Sequence, residues 1–168
     1  PTLRAVEQLA RVPFVDGNRA ELLIDGKAIF ESIFDGIDAA EDYLLVQFYI
    51  VRDDKRGREL QRRLLAKARE GVRVYVLFDS IGSLDLGNSY ISELTDAGVE
   101  VRSFFQHESW VDRFQLNFRN HRKLVISDGK VGWVGGLNIG DEYESEGWRD
   151  AHVRIEAERH AWPLERVA

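Results

Sequence analysis

Residues 43–50, YLLVQFYI, form the sequence feature that most restricts the fold. The run is almost entirely apolar and has the length of a strand rather than of a helix. This is typical of a strand that other elements cover on both faces. Gln47 interrupts the run, and an amide buried there needs hydrogen-bond partners. We therefore expect a sheet with residues 43–50 in a central position.

Apolar runs of strand length alternate with amphipathic helical repeats along the first hundred residues. The predicted order is strand 21–24, helix 28–37, strand 43–50, helix 60–68, strand 72–78, helix 90–97 and strand 99–104. Such units predict an α/β fold with a mostly parallel or mixed central sheet flanked by helices. A chain of 168 residues is long enough for one such domain. We expect residues 1–168 to form a single domain with its core at about 21–156.

Composition narrows the class of protein further. With no cysteine, the chain has no disulfide, no thiolate nucleophile and no zinc-ribbon spacing. Its net charge of −6 argues against a general nucleic-acid binder, which usually carries a basic face. No apolar run approaches the roughly 20 residues that cross a bilayer, so we expect this segment to be soluble. Methionine is absent even at the first residue, Pro1, which favours an excised piece of a longer protein.

The second part of the chain carries the residues from which a site can be built. Residues 105–120 form an aromatic and basic loop, for which contact with an anionic lipid surface, stacking on nucleotides and burial in a core are alternatives. A hairpin follows, with strands at 121–127 and 131–134, and a last strand is predicted at 151–155. On a strand, His121 and Lys123 point to one face, so a nucleophile or base lies beside a cation.

A glycine-rich turn after the hairpin completes a fixed spacing of polar residues. Gly135 and Gly136 precede Leu137 and Asn138, and such a turn can bring backbone N–H groups and an amide to an anionic oxygen. Asp128 lies at the hairpin turn, where Asp-Gly is favoured for backbone reasons, and we expect a structural role for it. The whole spacing reads H-x-K-x4-D-x6-G-G-x-N.

This spacing resembles the motif of the phospholipase D superfamily. Segments such as AREGVRVYVLFDSIGS, FRNHRKLVISDGKVGWVGGLNIGDEY and WRDAHVRIE make residues 21–156 similar to the amino-terminal half of bacterial cardiolipin synthases. The resemblance implies a phosphohistidine intermediate and no metal or other cofactor. It also implies that His121 is the nucleophile and that Lys123 and Asn138 hold the nonbridging phosphate oxygens.

Two further roles follow from the resemblance. The backbone around Gly135 and Gly136 would help to bind the phosphate and to stabilise charge that develops in the transition state. A histidine nucleophile usually donates its second ring N–H to a carboxylate that fixes its tautomer. Asp150 is our candidate for that carboxylate.

For a whole protein, the resemblance implies transfer of a phosphatidyl group between two phosphatidylglycerol molecules with release of glycerol, at the bacterial cytoplasmic membrane. The expected partner is thus anionic phospholipid, and nucleic acid is not expected. The family builds one active site from two motifs, and this chain has one, because His107, His152 and His160 are not followed by lysine two residues later. The second motif would come from a missing carboxyl-terminal region or from a homodimer mate. A homodimeric phosphodiesterase or nuclease and a catalytically inactive half-domain are the alternatives.

Overall fold

The computed structural model describes residues 7–8, 17–79, 82–83, 86–104 and 121–157. The aromatic loop predicted at 105–120 and the chain after residue 157 lie outside these ranges. Every strand and helix predicted within them is present, with shifts of a few residues at the ends. The strands are β1 (Asn18–Ile24), β2 (Tyr43–Phe48), β3 (Arg73–Asp79), β4 (Glu100–Phe104), β5 (Leu124–Ser127), β6 (Val131–Gly135) and β7 (Ala151–Ala157), and the helices are α1 (Gly26–Asp38), α2 (Lys55–Arg69) and α3 (Asn88–Asp96).

The strands form one seven-stranded sheet in the order β1-β7-β6-β5-β2-β3-β4. The segment β2–β3–β4 is parallel, and the other neighbouring pairs are antiparallel. The α/β prediction is thus confirmed, and the sheet is mixed rather than mostly parallel. The reason is that β5 runs antiparallel to β2, after which β6 pairs with β5 and β7 with β6, and β1 joins β7 at the far edge.

Helices pack on one side of this sheet through apolar stripes. The stripe of α1 is fully buried and packs in one cluster with Leu44, Val46 and Phe48 of β2. The start of α2 is fixed by Asp54, whose side chain accepts the N–H of Gly57 at 3.0 Å and so satisfies a donor of the first turn. In the described ranges, no helix combines the length and the apolar character needed to cross a bilayer.

A row of apolar side chains crosses the other side of the sheet near β1. Leu22 and Val134 both pair with Val153 of β7, and strand alternation points all three to one face. Leu22 is 61% exposed and Val134 43% exposed, and the nearby Ile24 is 49% exposed. An exposed apolar row of this kind is a surface on which another protein segment can pack.

The hairpin between β5 and β6 turns at Asp128 and Gly129. Both residues have positive φ, 54° and 64°, and Lys130 donates its N–H to the carbonyl of Ser127 at 2.9 Å, as in a type I′ turn. The Asp128 carboxylate accepts three backbone N–H groups, at 2.8 to 3.0 Å, from residues 41–43. Partial burial opposes ionisation of Asp128, but these donors outweigh it and lower its pKa. Asp128 therefore joins the hairpin to the start of β2.

Candidate active site

His121 and Lys123 lie in the segment that leads into β5, at the end of that strand opposite to Asp128. The predicted strand at 121–127 is wrong in its first three residues, because β5 begins at Leu124. The Lys123 ammonium bends back and donates to the carbonyl oxygen of His121 at 2.6 Å. Through this local bond the Lys123 side chain turns back to the His121 backbone, while the Lys123 carbonyl still accepts the N–H of Gly135 at 3.4 Å.

The two side chains are in direct contact. Lys123 Nζ lies 2.9 Å from His121 Nδ1, and the His121 ring packs against the Tyr49 ring with centroids 4.2 Å apart. Lys123 Nζ also lies 5.4 Å from the centroid of Tyr49, within the range of a cation–π interaction. An ammonium group has only donors, so Nδ1 accepts in this geometry. The proton of a neutral His121 ring then lies on Nε2.

Lys123 is a buried cation whose charge is balanced by Asp150. The Lys123 residue is 4% exposed, and its burial lowers the pKa of the ammonium while the Asp150 carboxylate raises it. Asp150 accepts the N–H of Ala151 at 2.7 Å through its Oδ1 atom. The predicted nucleophile, the predicted phosphate ligand and the predicted carboxylate therefore lie in one neighbourhood, in which Asp150 acts electrostatically on Lys123.

Gly135 and Gly136 have a structural reason to be glycine that the sequence did not reveal. Their N–H groups donate to the carbonyls of Lys123 and Ala151 at 3.4 and 3.3 Å, so both are already engaged. A Cβ atom on Gly135 would lie 2.3 Å from His152 Nδ1, and one on Gly136 would lie 2.4 Å from Asp150 Oδ1. The two glycines thus make room for a ring and a carboxylate, and the role of the backbone around them in binding phosphate stays a prediction.

Asn138 is held rigidly at the same edge. Its residue is 6% exposed, its Oδ1 atom accepts the N–H of Ile50 at 3.0 Å, and its Nδ2 atom donates to the hydroxyl of Tyr143 at 3.1 Å. An amide nitrogen has two hydrogens, and Tyr143 uses one of those of Asn138. Sequence reasoning selected Asn138 from the spacing but did not consider Tyr143.

Tyr143 connects Asn138 to the surface. Burial raises the pKa of its hydroxyl, so the hydroxyl stays protonated. Its ring makes an edge contact with Trp148, with centroids 5.0 Å apart and the planes at 86°. Trp148 is 44% exposed and lies two residues before Asp150. The available signal was an aromatic residue five positions after Asn138.

His152 is the second residue that sequence reasoning missed. It was set aside because Arg154 rather than lysine follows it two residues later. The structure places it on β7 opposite Gly135, where it is 1% exposed. Burial lowers its pKa to about 4, with Asp150 and the Ala151 backbone acting in the opposite direction and Lys123 in the same one. Its pairing with Gly135 depends on the fold, so spacing along the sequence did not indicate it.

Two other features lie away from this cluster. Gln47 is 5% exposed on β2, and its Oε1 atom has no hydrogen-bond partner within the described residues. An open groove of about 690 Å³ lies beside α1 at the Asp128 end of the sheet, and its lining includes Glu21, Glu31 and Asp35. With Glu41 and Asp128 the lining holds five carboxylates against the two cations Lys130 and Arg154, and this excess of negative charge disfavours an anion in the groove.

Comparisons with known proteins give the family. The model of the family described as cardiolipin synthase, PLD-like domain, matches residues 33–165. The chain belongs to this family. It is 50% identical over 158 residues to cardiolipin synthase A from a strain of Pseudomonas putida, covering 91% of the chain and 33% of that protein. It is 48% identical over 159 residues to cardiolipin synthase A from Pseudomonas fluorescens, covering 92% of the chain and 33% of that protein. The chain spans about a third of the length of these relatives.

Solved structures share the fold at low sequence identity. The phospholipase D family member Nuc from Salmonella typhimurium matches with a TM-score of 0.67 and 16% identity, over 89% of each chain. A phosphatidylserine synthase from Haemophilus influenzae matches with a TM-score of 0.66 and 12% identity, over 93% of this chain and 38% of that one. The predicted phospholipase D-like α/β half-domain is thereby confirmed as the fold.

Proposed function

We propose that this chain supplies one half of the active site of a phosphatidyltransferase that makes cardiolipin from phosphatidylglycerol. The observation that carries the proposal is the 2.9 Å contact between His121 Nδ1 and Lys123 Nζ, beside the anchored Asn138 amide. A nucleophile next to a buried cation and an amide donor is suited to a phosphodiester. Membership of the cardiolipin synthase family and the similarity to cardiolipin synthase A support the choice of substrate.

The proposed chemistry has two transfers of one phosphorus atom. In the first, the lone pair of His121 Nε2 attacks the phosphorus, the bond to the glycerol oxygen breaks, and the leaving alkoxide takes a proton from an acid. In the second transfer, the group that acted as the acid, now deprotonated, removes a proton from the hydroxyl of another phosphatidylglycerol. The oxygen of that hydroxyl attacks phosphorus, and the bond from phosphorus to His121 breaks. Lys123 and Asn138 hold the nonbridging oxygens through both steps, where their fixed donors stabilise developing charge.

Substrate binding would also change the tautomer of His121. With Lys123 donating to Nδ1, the ring proton lies on Nε2, and that nitrogen has no lone pair for attack. A phosphate oxygen that attracts the Lys123 ammonium would release Nδ1. Nε2 can then lose its proton to solvent while Nδ1 takes one up, and the Nδ1–H donates a hydrogen bond to a carboxylate, the role we assign to Asp150, which leaves the Nε2 lone pair available.

The acid and base would come from a second histidine outside this chain's single motif. The partner is a second motif on another segment of a longer protein or on a second copy of this chain. The apolar row in which Leu22 and Val134 are exposed supports such a partner, because it is an apolar surface on the sheet. The place of action is then the bacterial cytoplasmic membrane, where phosphatidylglycerol resides.

The covalent step can be tested on the chain itself. Bis(4-nitrophenyl) phosphate has leaving groups that need no acid, so His121 can attack it without a second histidine. We expect release of 4-nitrophenolate in an amount equal to that of the chain, and a phosphoryl adduct on His121 in mass spectra. Lys123→Met should slow this release by about 100-fold or more, the scale of losing one transition-state ligand. Lys130→Met, at the exposed hairpin turn, is the matched control and should have no effect.

Light scattering and a lipid assay then test the partner and the substrate. A dimer that forms cardiolipin on phosphatidylglycerol vesicles would support a composite site made of two copies. A monomer that forms the adduct but no cardiolipin would support a partner on another segment. Release of 4-nitrophenolate that survives His121→Ala would contradict the proposed nucleophile, and cleavage of plasmid DNA in place of lipid would contradict the proposed substrate.

A further inference from the structure

His152 is a buried titratable group that the proposed chemistry does not use. It is 1% exposed, and its Nδ1 atom has no hydrogen-bond partner within the part of the chain that the structure describes. A side chain that only fills space at such a position would be apolar, because an unpaired buried nitrogen opposes folding. An imidazole there calls for a role that an aliphatic side chain cannot fulfil.

The position of His152 on the sheet brings it to the phosphate ligand. Gly135 pairs with His152 on β7, and the N–H of Gly135 donates to the carbonyl of Lys123 on the other side. The three residues thus form one row across three strands, and their side-chain positions share one face. Since Gly135 has no side chain, the His152 ring occupies the place above it, with ring atoms 2.3 and 2.4 Å from where a Cβ would lie.

Charges in the neighbourhood act on the ring and on Lys123 together. Asp150 favours the protonated form of His152 and Lys123 opposes it, while Asp150 also favours the charged form of Lys123. All three groups are therefore within electrostatic reach of one another. Asp150 in turn contacts the place that a Cβ on Gly136 would occupy, so the second glycine of the turn makes room for the carboxylate as the first makes room for the ring.

We propose that His152 is a positioning residue of the phosphate site, where its neutral imidazole is the polar neighbour that keeps the buried Lys123 ammonium charged and near Asp150. The inference rests on the proposed function only in taking Lys123 as the phosphate ligand. His152 itself contacts no reacting atom in this scheme. It acts through Lys123, so substituting it should change the titration of Lys123 before it changes anything else.

The test is the pKa of the Lys123 amine, measured by NMR on the chain with lysine labelled at the ε-carbon and assigned with Lys123→Arg. His152→Leu fills a similar volume without polarity, so it should lower the pKa of Lys123 further, by about one pH unit or more, because desolvation disfavours the charged amine. His152→Gln restores a neutral polar group and should leave the pKa near its original value. Arg154→Leu makes the same kind of change two residues along the same face of β7 and serves as the control.

Equal pKa values of Lys123 in the original chain, His152→Leu and His152→Gln would overturn the proposal, since that is the result of pure space filling. If His152→Leu does not fold, the reverse measurement decides. Lys123→Met removes the charge that opposes protonation of His152, so the His152 ring should titrate at higher pH in that variant. An unchanged titration of His152 would overturn the proposal.

A separate binding measurement keeps this result distinct from the proposed function. Tungstate, a phosphate analogue, is titrated into the chain by calorimetry, and we expect His152→Leu to weaken its binding about tenfold, as for loss of one charge-assisted interaction. If Lys123 responds to His152 but tungstate does not bind, His152 positions Lys123 and the proposed phosphate site fails. If tungstate binds through Lys123 and Lys123 does not respond to His152, the phosphate site stands and the positioning role fails.

Discussion

Asn138 shows how a motif residue depends on neighbours that the motif does not include. Its side-chain carbonyl oxygen accepts the N–H of Ile50, and one of its two side-chain N–H groups donates to the hydroxyl of Tyr143. The orientation of the amide is therefore fixed before any substrate arrives, and the remaining N–H has one direction. A fixed donor costs no reorganisation when charge develops. Tyr143 thus controls a residue that we propose to contact the phosphate.

Tyr143→Phe removes the acceptor for Asn138 Nδ2 while it keeps the ring against Trp148. We expect the rate of 4-nitrophenolate release from bis(4-nitrophenyl) phosphate to fall about fivefold to tenfold, as for one lost hydrogen bond of about 1 kcal/mol. Tyr90→Phe is the control, because Tyr90 is as buried and donates to the carbonyl of Gly57 at 2.7 Å, away from the site. Equal rates in Tyr143→Phe and Tyr90→Phe would contradict the positioning of Asn138 by Tyr143.

At the residue scale, the sequence could predict the members of the motif but not their surroundings. His121, Lys123 and Asn138 were selected from fixed spacing, and spacing is visible in a sequence. Tyr143 and His152 enter through a hydrogen bond and a cross-strand pair, which depend on how separate segments pack. His152 in particular was dismissed for lacking a lysine two residues later, whereas its partner is a glycine on the next strand.

At the scale of elements, the hairpin of β5 and β6 is held in place by one carboxylate. Asp128 accepts the N–H groups of residues 41–43 and so fixes the register between the hairpin and the start of β2. Because β5 continues into Lys123 and His121 at its other end, this register also determines where the two site residues lie along β2. A motif aspartate distant from the reaction is thus part of the framework that positions it.

Asp128→Ala should lower the free energy of unfolding by about 2 to 3 kcal/mol, because three backbone donors lose a charged acceptor and Ala is strained at a φ of 54°. Asp128→Asn should cost less, since asparagine tolerates positive φ and keeps one acceptor oxygen. Urea denaturation of the three chains provides the values. Asp35→Ala, on the exposed side of α1, is the control, and a loss there as large as in Asp128→Ala would contradict this account.

The elements themselves were largely predictable, because apolar periodicity and turn residues determine them locally. The Asp-Gly hairpin is one example, and the apolar run of β2 is another. The first residues of the predicted β5 were wrong because a side chain, Lys123, bonds to the carbonyl of His121. A contact between a side chain and the backbone of a neighbour competes with strand pairing, and periodicity does not detect it.

At the scale of the whole molecule, the order of the strands in the sheet could not be predicted from the sequence. Repeated strand–helix units favour parallel pairing, and this holds from β2 to β4. The pairing of β1 with β7 joins residues 18–24 to residues 151–157. That contact places Asp25 and Asp150 side by side, with the N–H of Asp25 donating to the carbonyl of Asp150 at 3.0 Å. The pairing of β1 with β7 therefore helps to hold in place Asp150, whose carboxylate balances the charge of Lys123.

The buried His152 should also make the stability of the whole fold depend on pH. Its pKa is about 4 in the folded chain, against 6.5 for the free side chain, so the unfolded chain binds more protons between these values. Stability is therefore complete above pH 6.5 and is lost as pH falls towards 4, by on the order of 2 to 3 kcal/mol. Chemical denaturation of the chain and of His152→Gln at a series of pH values measures this loss, because carboxylates such as Asp128 contribute equally to both. The original chain should lose more stability than His152→Gln across this window, and parallel curves would mean that His152 is not held neutral in the fold.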